Sequence, residues 1–171
     1  YASTDLQNNR EVVVAAIMQQ ASALQYASEV LKDDRDLVML AVAQSGQQLR
    51  CASEKMRNDR DVVMVAFAQN RNSLQYASEV LKKDKMLMME CVNQHAASFS
   101  FVSEALKNDR DMVLCAVTQN GQLLWYASDQ CKDDEEIVLA AVMQNGMALR
   151  FASERLKVKL GLAPKEVPLL N

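Results

Sequence analysis

The sequence predicts an all-α fold, an α-solenoid of about seven antiparallel helix-pair repeats of 25 residues each. The first supporting observation is self-similarity. "LQYASEVLK" occurs at residues 24–32 and again at 74–82, and the register matches every 25 residues, not only every 50. Tyr1-Ala2-Ser3 recurs as Tyr26-Ala27-Ser28, Cys51-Ala52-Ser53, Tyr76-Ala77-Ser78, Phe101-Val102-Ser103, Tyr126-Ala127-Ser128 and Phe151-Ala152-Ser153, without insertions. The second is composition: half the residues are hydrophobic, with only four glycines and two prolines, and the dominant types lose little on entering a helix. The third is that each period holds two amphipathic stretches with helix punctuation between them.

In the first stretch, over about residues 47–57, Leu49, Ala52, Ser53 and Met56 fall on one narrow stripe, which predicts helix A. In the second, over about 59–69, Val62, Val63, Ala66 and Phe67 form a wider apolar arc, which predicts helix B. Asn58 or Asp59 can accept from the amides that open helix B, with Asp61 placed to complete a capping box. Ser45-Gly46, Asn120-Gly121 and Asn145-Gly146 offer a left-handed residue to stop it. Helices of roughly eleven residues are marginal alone, so their stability must come from stacking on neighbouring repeats. The reading is a single array over residues 1–160, with units starting near 1, 26, 51, 76, 101, 126 and 151, followed by a tail over 161–171.

The units "LQYASEVLKDDRDLVMLAVAQSG" at 24–46 and "LLWYASDQCKDDEEIVLAAVMQNG" at 123–146 resemble a family of helical repeats catalogued as domain-of-unknown-function family 4116. Its units read close to L-x-Y-A-S-E-x-L-K-x-D-R-x-V-V-x-x-A-V-x-Q-N-G. The resemblance covers residues 1 to about 157 and implies an all-helical array without naming an activity. The fourth unit departs from the pattern: Met86 stands where an acid is usual, and Glu90 and His95 are gained.

A net charge of −3 gives no basic footprint for phosphate, so nucleic acid is not an expected partner. The longest apolar runs, "VVVAAIM" and "VVMVAFA", are too short to cross a bilayer. Cys51, Cys91, Cys115 and Cys131 show no CxxC spacing and read as small residues in a reducing compartment.

Repeated residues invite functional readings. Ser28, Ser53, Ser78, Ser103 and Ser128 recur too often, beside a single His, to be nucleophiles. They are expected to let helices approach closely while bonding back to their own helix carbonyls. Gln44, Gln69, Gln94, Gln119 and Gln144 sit at the end of helix B, where an amide can bridge helix ends or turns of adjacent units. Cys91 and His95 share a helix face, but too few ligands accompany them for a metal, and neither a metal nor a cofactor is expected. Acids such as Glu29 and Glu54 precede bases such as Lys32 and Arg57 by three residues, a paired, solvated face. Arg10, Arg35, Arg60 and Arg110 are each followed by an acid that cancels their field.

Met39, Met64, Met89, Leu114 and Leu139 form a row just outside the core arc, with Met143 beside it. Such a row is either an adaptable contact surface or packing against helix A of the next unit. His95 in the irregular fourth unit, and Leu169 and Leu170 in the apolar tail, are the other candidate contact residues. The tail "VKLGLAPKEVPLLN" is expected to fold back over the last unit or dock on a partner, and the opening at Tyr1 leads us to expect residues upstream. The function expected from all this is a non-enzymatic scaffold that contacts protein partners as an accessory subunit of a larger assembly. The alternative is a repeat that binds single-stranded nucleic acid one unit per base.

Overall fold

The computed structural model describes residues 3–161, and every secondary-structure element among them is helical. The repeat has three elements instead of two. In the third copy these are a four-residue α-helix Glu54–Arg57, a ten-residue α-helix Arg60–Gln69 and a six-residue 3-10 helix Arg71–Tyr76. We call them the short helix, the long helix and the 3-10 helix.

Helix B of the sequence reading is the long helix; helix A is broken in two. The stretch 47–57 is split between the 3-10 helix Gly46–Cys51 and the short helix Glu54–Arg57, and Ala52 between them is extended, with φ −73° and ψ 156°. The break has a local cause. A serine followed by an acid is a better helix start than a helix interior, because its hydroxyl accepts from an otherwise unpaired amide and the acid favours the helix N-terminus. The hydroxyl of Ser53 accepts from Met56 N at 3.2 Å, and Glu54 begins the helix. Ser28, Ser78, Ser128 and Ser153 cap in the same way, whereas Ser103 makes no capping bond. The expectation that these serines bond back within a continuous helix is therefore wrong.

The long helices are capped by the Asn or Asp immediately before them. Asp59 Oδ1 accepts from Asp61 N at 3.0 Å and Val62 N at 3.1 Å, and Asp34, Asp84 and Asp134 repeat this. No capping box closes at Asp61, whose carboxylate is taken by Arg35 at 2.7 Å. The long helices end without a left-handed residue: Ser45, Asn120 and Asn145 are extended, with φ between −148° and −151°. Gly161 has the only positive φ among the described residues.

Gly46 and Gly121 have a different reason to be glycine. A Cβ on Gly46 would collide with the carbonyl oxygen of Ala66 in the next repeat, and one on Gly121 with that of Ala141. These joints admit no side chain. Gly146 has open space around it.

The chain divides into two compact units, Tyr1–Cys91 and Val92–Asn171. Within each, neighbouring long helices pack side by side, as do neighbouring 3-10 helices. In the first unit the core is built from Leu37, Val38, Ala41 and Val42, then Val62, Val63, Ala66 and Phe67, closed by Leu24, Leu49 and Leu74 of the 3-10 helices. In the second, Met112, Val113, Ala116, Val117, Ile137 and Val138 pack with Leu124 and Leu149. Each fully buried large side chain contributes about 1.5–3 kcal/mol, the stabilisation that four-residue helices cannot supply themselves.

Candidate functional site

The repeated polar residues join one repeat to the next. Ser53 donates its hydroxyl to Asp33 Oδ1 at 2.5 Å while its backbone N–H donates to Lys32 O at 3.0 Å. The same double link joins Ser28 to Asn8 and Gln7, Ser78 to Asn58 and Arg57, Ser128 to Asn108 and Lys107, and Ser153 to Asp133 and Lys132. The break at Ala52 thus exchanges an intrahelical amide bond for one between repeats.

A second ladder is ionic. Arg10 reaches Asp34 at 2.8 Å, Arg35 reaches Asp59 at 2.9 Å and Asp61 at 2.7 Å, and Arg110 reaches Asp134 and Glu136. The arginines pair with acids of the following repeat, not with the acid next in sequence. In the fourth repeat Met86 lacks the carboxylate of Asp61, and Glu90, one helical turn on, accepts from Arg60 at 3.0 Å instead. The i,i+3 pairs of the short helices also form, among them Glu29–Lys32 at 2.9 Å and Glu54–Arg57 at 2.6 Å. These bonds shift the carboxylates. The Ser53 hydroxyl and Lys55 hold Asp33 below the usual range, Arg10 holds Asp34 below it, and Arg155 with Ser153 does the same for Asp133. Burial pushes Asp59 up, but Arg35 and two backbone amides outweigh it and the net shift is downward.

Gln69 and Gln144 close the glycine joints, and Gln119 makes a different bond between repeats. Gln69 Oε1 accepts from Gly46 N at 2.5 Å, Gln144 Oε1 from Gly121 N at 2.6 Å, and Gln119 Nε2 donates to Val92 O at 3.2 Å. All five glutamines, Gln44 and Gln94 included, are largely exposed.

Cys91 is buried beneath Met64, Sγ to Sδ 3.8 Å, and burial with Glu90 nearby pushes its thiol up to about 11. His95 is exposed at the start of the 3-10 helix Ala96–Phe101. Among the described residues no three His, Cys, Asp or Glu side chains come together as metal ligands.

Met39, Met64, Met89 and Leu114 are half-buried, and Met64 lies against Cys91 of the next repeat. Leu139 and Met143 are exposed, at 39% and 87%. Leu169 and Leu170 lie outside the described residues.

The surface feature that the repeat pattern does not explain lies in the second unit. Trp125 is 60% exposed and Tyr126 42%. With Leu123 and Gln122 from the same 3-10 helix, its capping residue Asn120, and Arg150 and Phe151 from the next 3-10 helix, they line a cleft of about 350 Å³. Trp125 meets Phe151 edge to face, centroids 5.4 Å apart at 63°. The Arg150 guanidinium lies 4.5 Å from the Phe151 centroid, and Lys132 Nζ 5.8 Å from that of Trp125. Among the described residues Arg150 has no ion pair, whereas Arg110 and Arg155 of the same unit are both paired. The repeat pattern alone does not single out this cluster. Its signal is that Trp125, the only tryptophan, stands where other repeats carry Gln25, Arg50, Gln75, Ser100 and Arg150.

A second groove of about 450 Å³ lies in the first repeat, among Leu6, Val12, Val13, Ala16, Ala23 and Tyr26. Its Leu6 and Val12 are 45% and 40% exposed, whereas Leu31 and Leu37, one period on, are 7% and 1% exposed. It has the make-up of a repeat joint. No helix among the described residues is long and apolar enough to cross a membrane.

No curated protein and no solved structure matches the chain. The family model described as "Domain of unknown function (DUF4116)" matches it five times, over residues 1–32, 34–82, 59–107, 84–132 and 109–157. These overlapping matches follow the period whose serine, arginine and glutamine links tie neighbouring repeats, and the chain belongs to the DUF4116 family.

Proposed function

We infer that the protein is a non-enzymatic helical-repeat module that holds a protein partner, as an accessory component of a larger assembly, through the aromatic cleft of its second unit. The observation that carries this reading is the exposure of Trp125 beside Tyr126, Phe151 and Arg150, which has no ion pair among the described residues. Covering the exposed part of such a ring is worth about 2–4 kcal/mol, more than the edge-to-face and cation–π contacts around it return. Trp, Tyr and Arg are the types that dominate binding energy at protein interfaces. Most of the repeated serines and arginines, with Gln69, Gln119 and Gln144, are engaged in caps and inter-repeat bonds, which supports a structural role for them.

The second reading, single-stranded nucleic acid, draws on the aromatic series Tyr26, Tyr76, Phe101, Tyr126 and Phe151, a repeat position interrupted only at Cys51 among these units, because bases stack on such rings. Against it, the arginines at 10, 35, 60 and 110 are neutralised by carboxylates, so a phosphate backbone would meet little free positive charge.

The discriminating experiment is a cross-linked pull-down with the intact chain and with a Trp125→Ala, Arg150→Glu double variant, followed by reconstitution with each purified candidate. A protein that binds the native chain directly and loses at least tenfold affinity for the double variant supports the reading. Tight binding of a labelled 20-nucleotide RNA at low salt, abolished by the same double variant, would replace it with the second.

A further inference from the structure

The cleft also has a shape and a charge that specify what kind of segment fits it. Its walls are two side-by-side 3-10 helices, Gly121–Tyr126 and Gly146–Phe151. At about 2 Å rise per residue, six residues give walls about 12 Å long, the span of three to four residues of extended chain. A partner helix would be about 10 Å across with its side chains, whereas the cleft volume of about 350 Å³ suits one large ring and the backbone on either side of it. The amides of Gln122 and Asn120 stand at the lining, but Asn120 Oδ1 already accepts from Gln122 N at 3.1 Å. The Gln122 side chain is exposed and can donate to, or accept from, a passing main chain.

Charge narrows the choice further. Arg150 stacks on Phe151 and has no carboxylate partner among the described residues. Lys132 leans toward Trp125 and is only loosely paired, 4.0 Å from Asp129. Exposed Arg150 therefore sets a cation beside the aromatic wall of the cleft, where an incoming carboxylate would gain a charge-assisted bond and an incoming cation would be repelled.

Building on the protein-contact reading above, we propose that the cleft binds an extended acidic segment of the partner. A Phe, Tyr, Trp or Pro ring packs on Trp125 against Tyr126 and Phe151, and an Asp or Glu within two residues of it pairs with Arg150. Recognition combines an apolar ring seated on aromatic walls with one fixed charge. The ring supplies most of the affinity and the carboxylate sets the direction in which the segment lies.

The test is to pan a phage-displayed random dodecapeptide library on the intact chain, and in parallel on Trp125→Ala and Arg150→Glu variants whose circular dichroism matches the native chain. The expected result is enrichment of sequences with Asp or Glu within two residues of an aromatic or proline. A synthetic enriched peptide should lose at least tenfold affinity for Arg150→Glu, less for Arg150→Lys, and nearly all binding to Trp125→Ala. Enrichment of neutral or basic sequences, equal binding to Arg150→Glu, or no enrichment at all would overturn the acidic-segment proposal. If the pull-down still captures a protein in a Trp125-dependent manner after such a result, the protein-contact reading stands and only the chemistry of the segment is wrong. If no protein binds directly, or binding does not depend on Trp125 and Arg150, that reading fails as well.

Discussion

The Ser53 hydroxyl donates to Asp33 Oδ1 at 2.5 Å and accepts from Met56 N at 3.2 Å, so a single side chain starts its own short helix and fastens it to the repeat before. Removing it takes away a cap, worth about 0.5–2 kcal/mol, and leaves the Asp33 carboxylate without one of its donors. Ser53→Ala is expected to lower unfolding free energy by about 1–2 kcal/mol in urea denaturation. A change within about 0.3 kcal/mol would mean that the link has no energetic weight.

Acid should loosen the same links. Asp33, Asp34 and Asp133 are held below the usual carboxylate range in the folded chain by Ser53 with Lys55, by Arg10, and by Arg155 with Ser153. The unfolded chain then binds more protons than the folded one as pH falls, so stability rises with pH across this window. The contribution is complete above the unfolded carboxylate value of about 3.9 and is lost as pH drops through the depressed folded values. Thermal midpoints are expected to be level from about pH 5 to 8 as far as these groups are concerned and to fall below about pH 4. Asp33→Asn should keep the Ser53 acceptor, as Asn58 does for Ser78, and flatten part of that fall. An unchanged acid slope in this variant would remove Asp33 from the account.

Glycines at equivalent positions should respond in opposite directions. Gly46→Ala and Gly121→Ala force a Cβ onto a backbone carbonyl of the next repeat, an overpacking cost of about 1–3 kcal/mol. Gly146→Ala meets open space and should be neutral or stabilising by about 0.4–1 kcal/mol through the unfolded chain. Equal effects at Gly46 and Gly146, compared by denaturant midpoint, would show that close approach is not what the glycine serves.

The buried thiol of Cys91, pushed up to about 11, is expected to resist iodoacetamide at pH 8 in the native chain while half-buried Cys51 is modified. Peptide mass spectrometry after timed labelling measures both. Rapid native labelling of Cys91 would contradict its burial against Met64.

Much of this architecture was legible from period and pattern. The apolar arc Val62, Val63, Ala66, Phe67 marked the long helix and its core face, and the spacing of Glu54 and Arg57 marked a pair that forms at 2.6 Å. The break in helix A was not legible. An apolar stripe at spacings of three and four does not distinguish one helix from a 3-10 turn and a short helix laid end to end. The serine cap is local, but the amide bond that replaces the intrahelical one is made to the Lys32 carbonyl of another repeat. Likewise Gly46 offered a left-handed stop by local rules, whereas its reason lies 20 residues on, at the carbonyl of Ala66. The methionine row illustrates the limit of a single helix face: Met64 sits just outside its own core arc, and only the next repeat supplies the Cys91 that it packs against. Trp125 was visible as a departure from its column, but its exposure and its neighbours Arg150 and Phe151 belong to the packing of two 3-10 helices.

Trp125 is the only tryptophan in the chain, so its fluorescence reports on the cleft without any label. Titrating the intact chain with a tryptophan-free acidic peptide selected on it should produce a saturable blue shift of the emission, with matching protection from iodide quenching. Both should be lost in Arg150→Glu. Saturable peptide binding detected by calorimetry with no change in Trp125 emission, and undiminished by Arg150→Glu, would contradict the placement of the partner in this cleft.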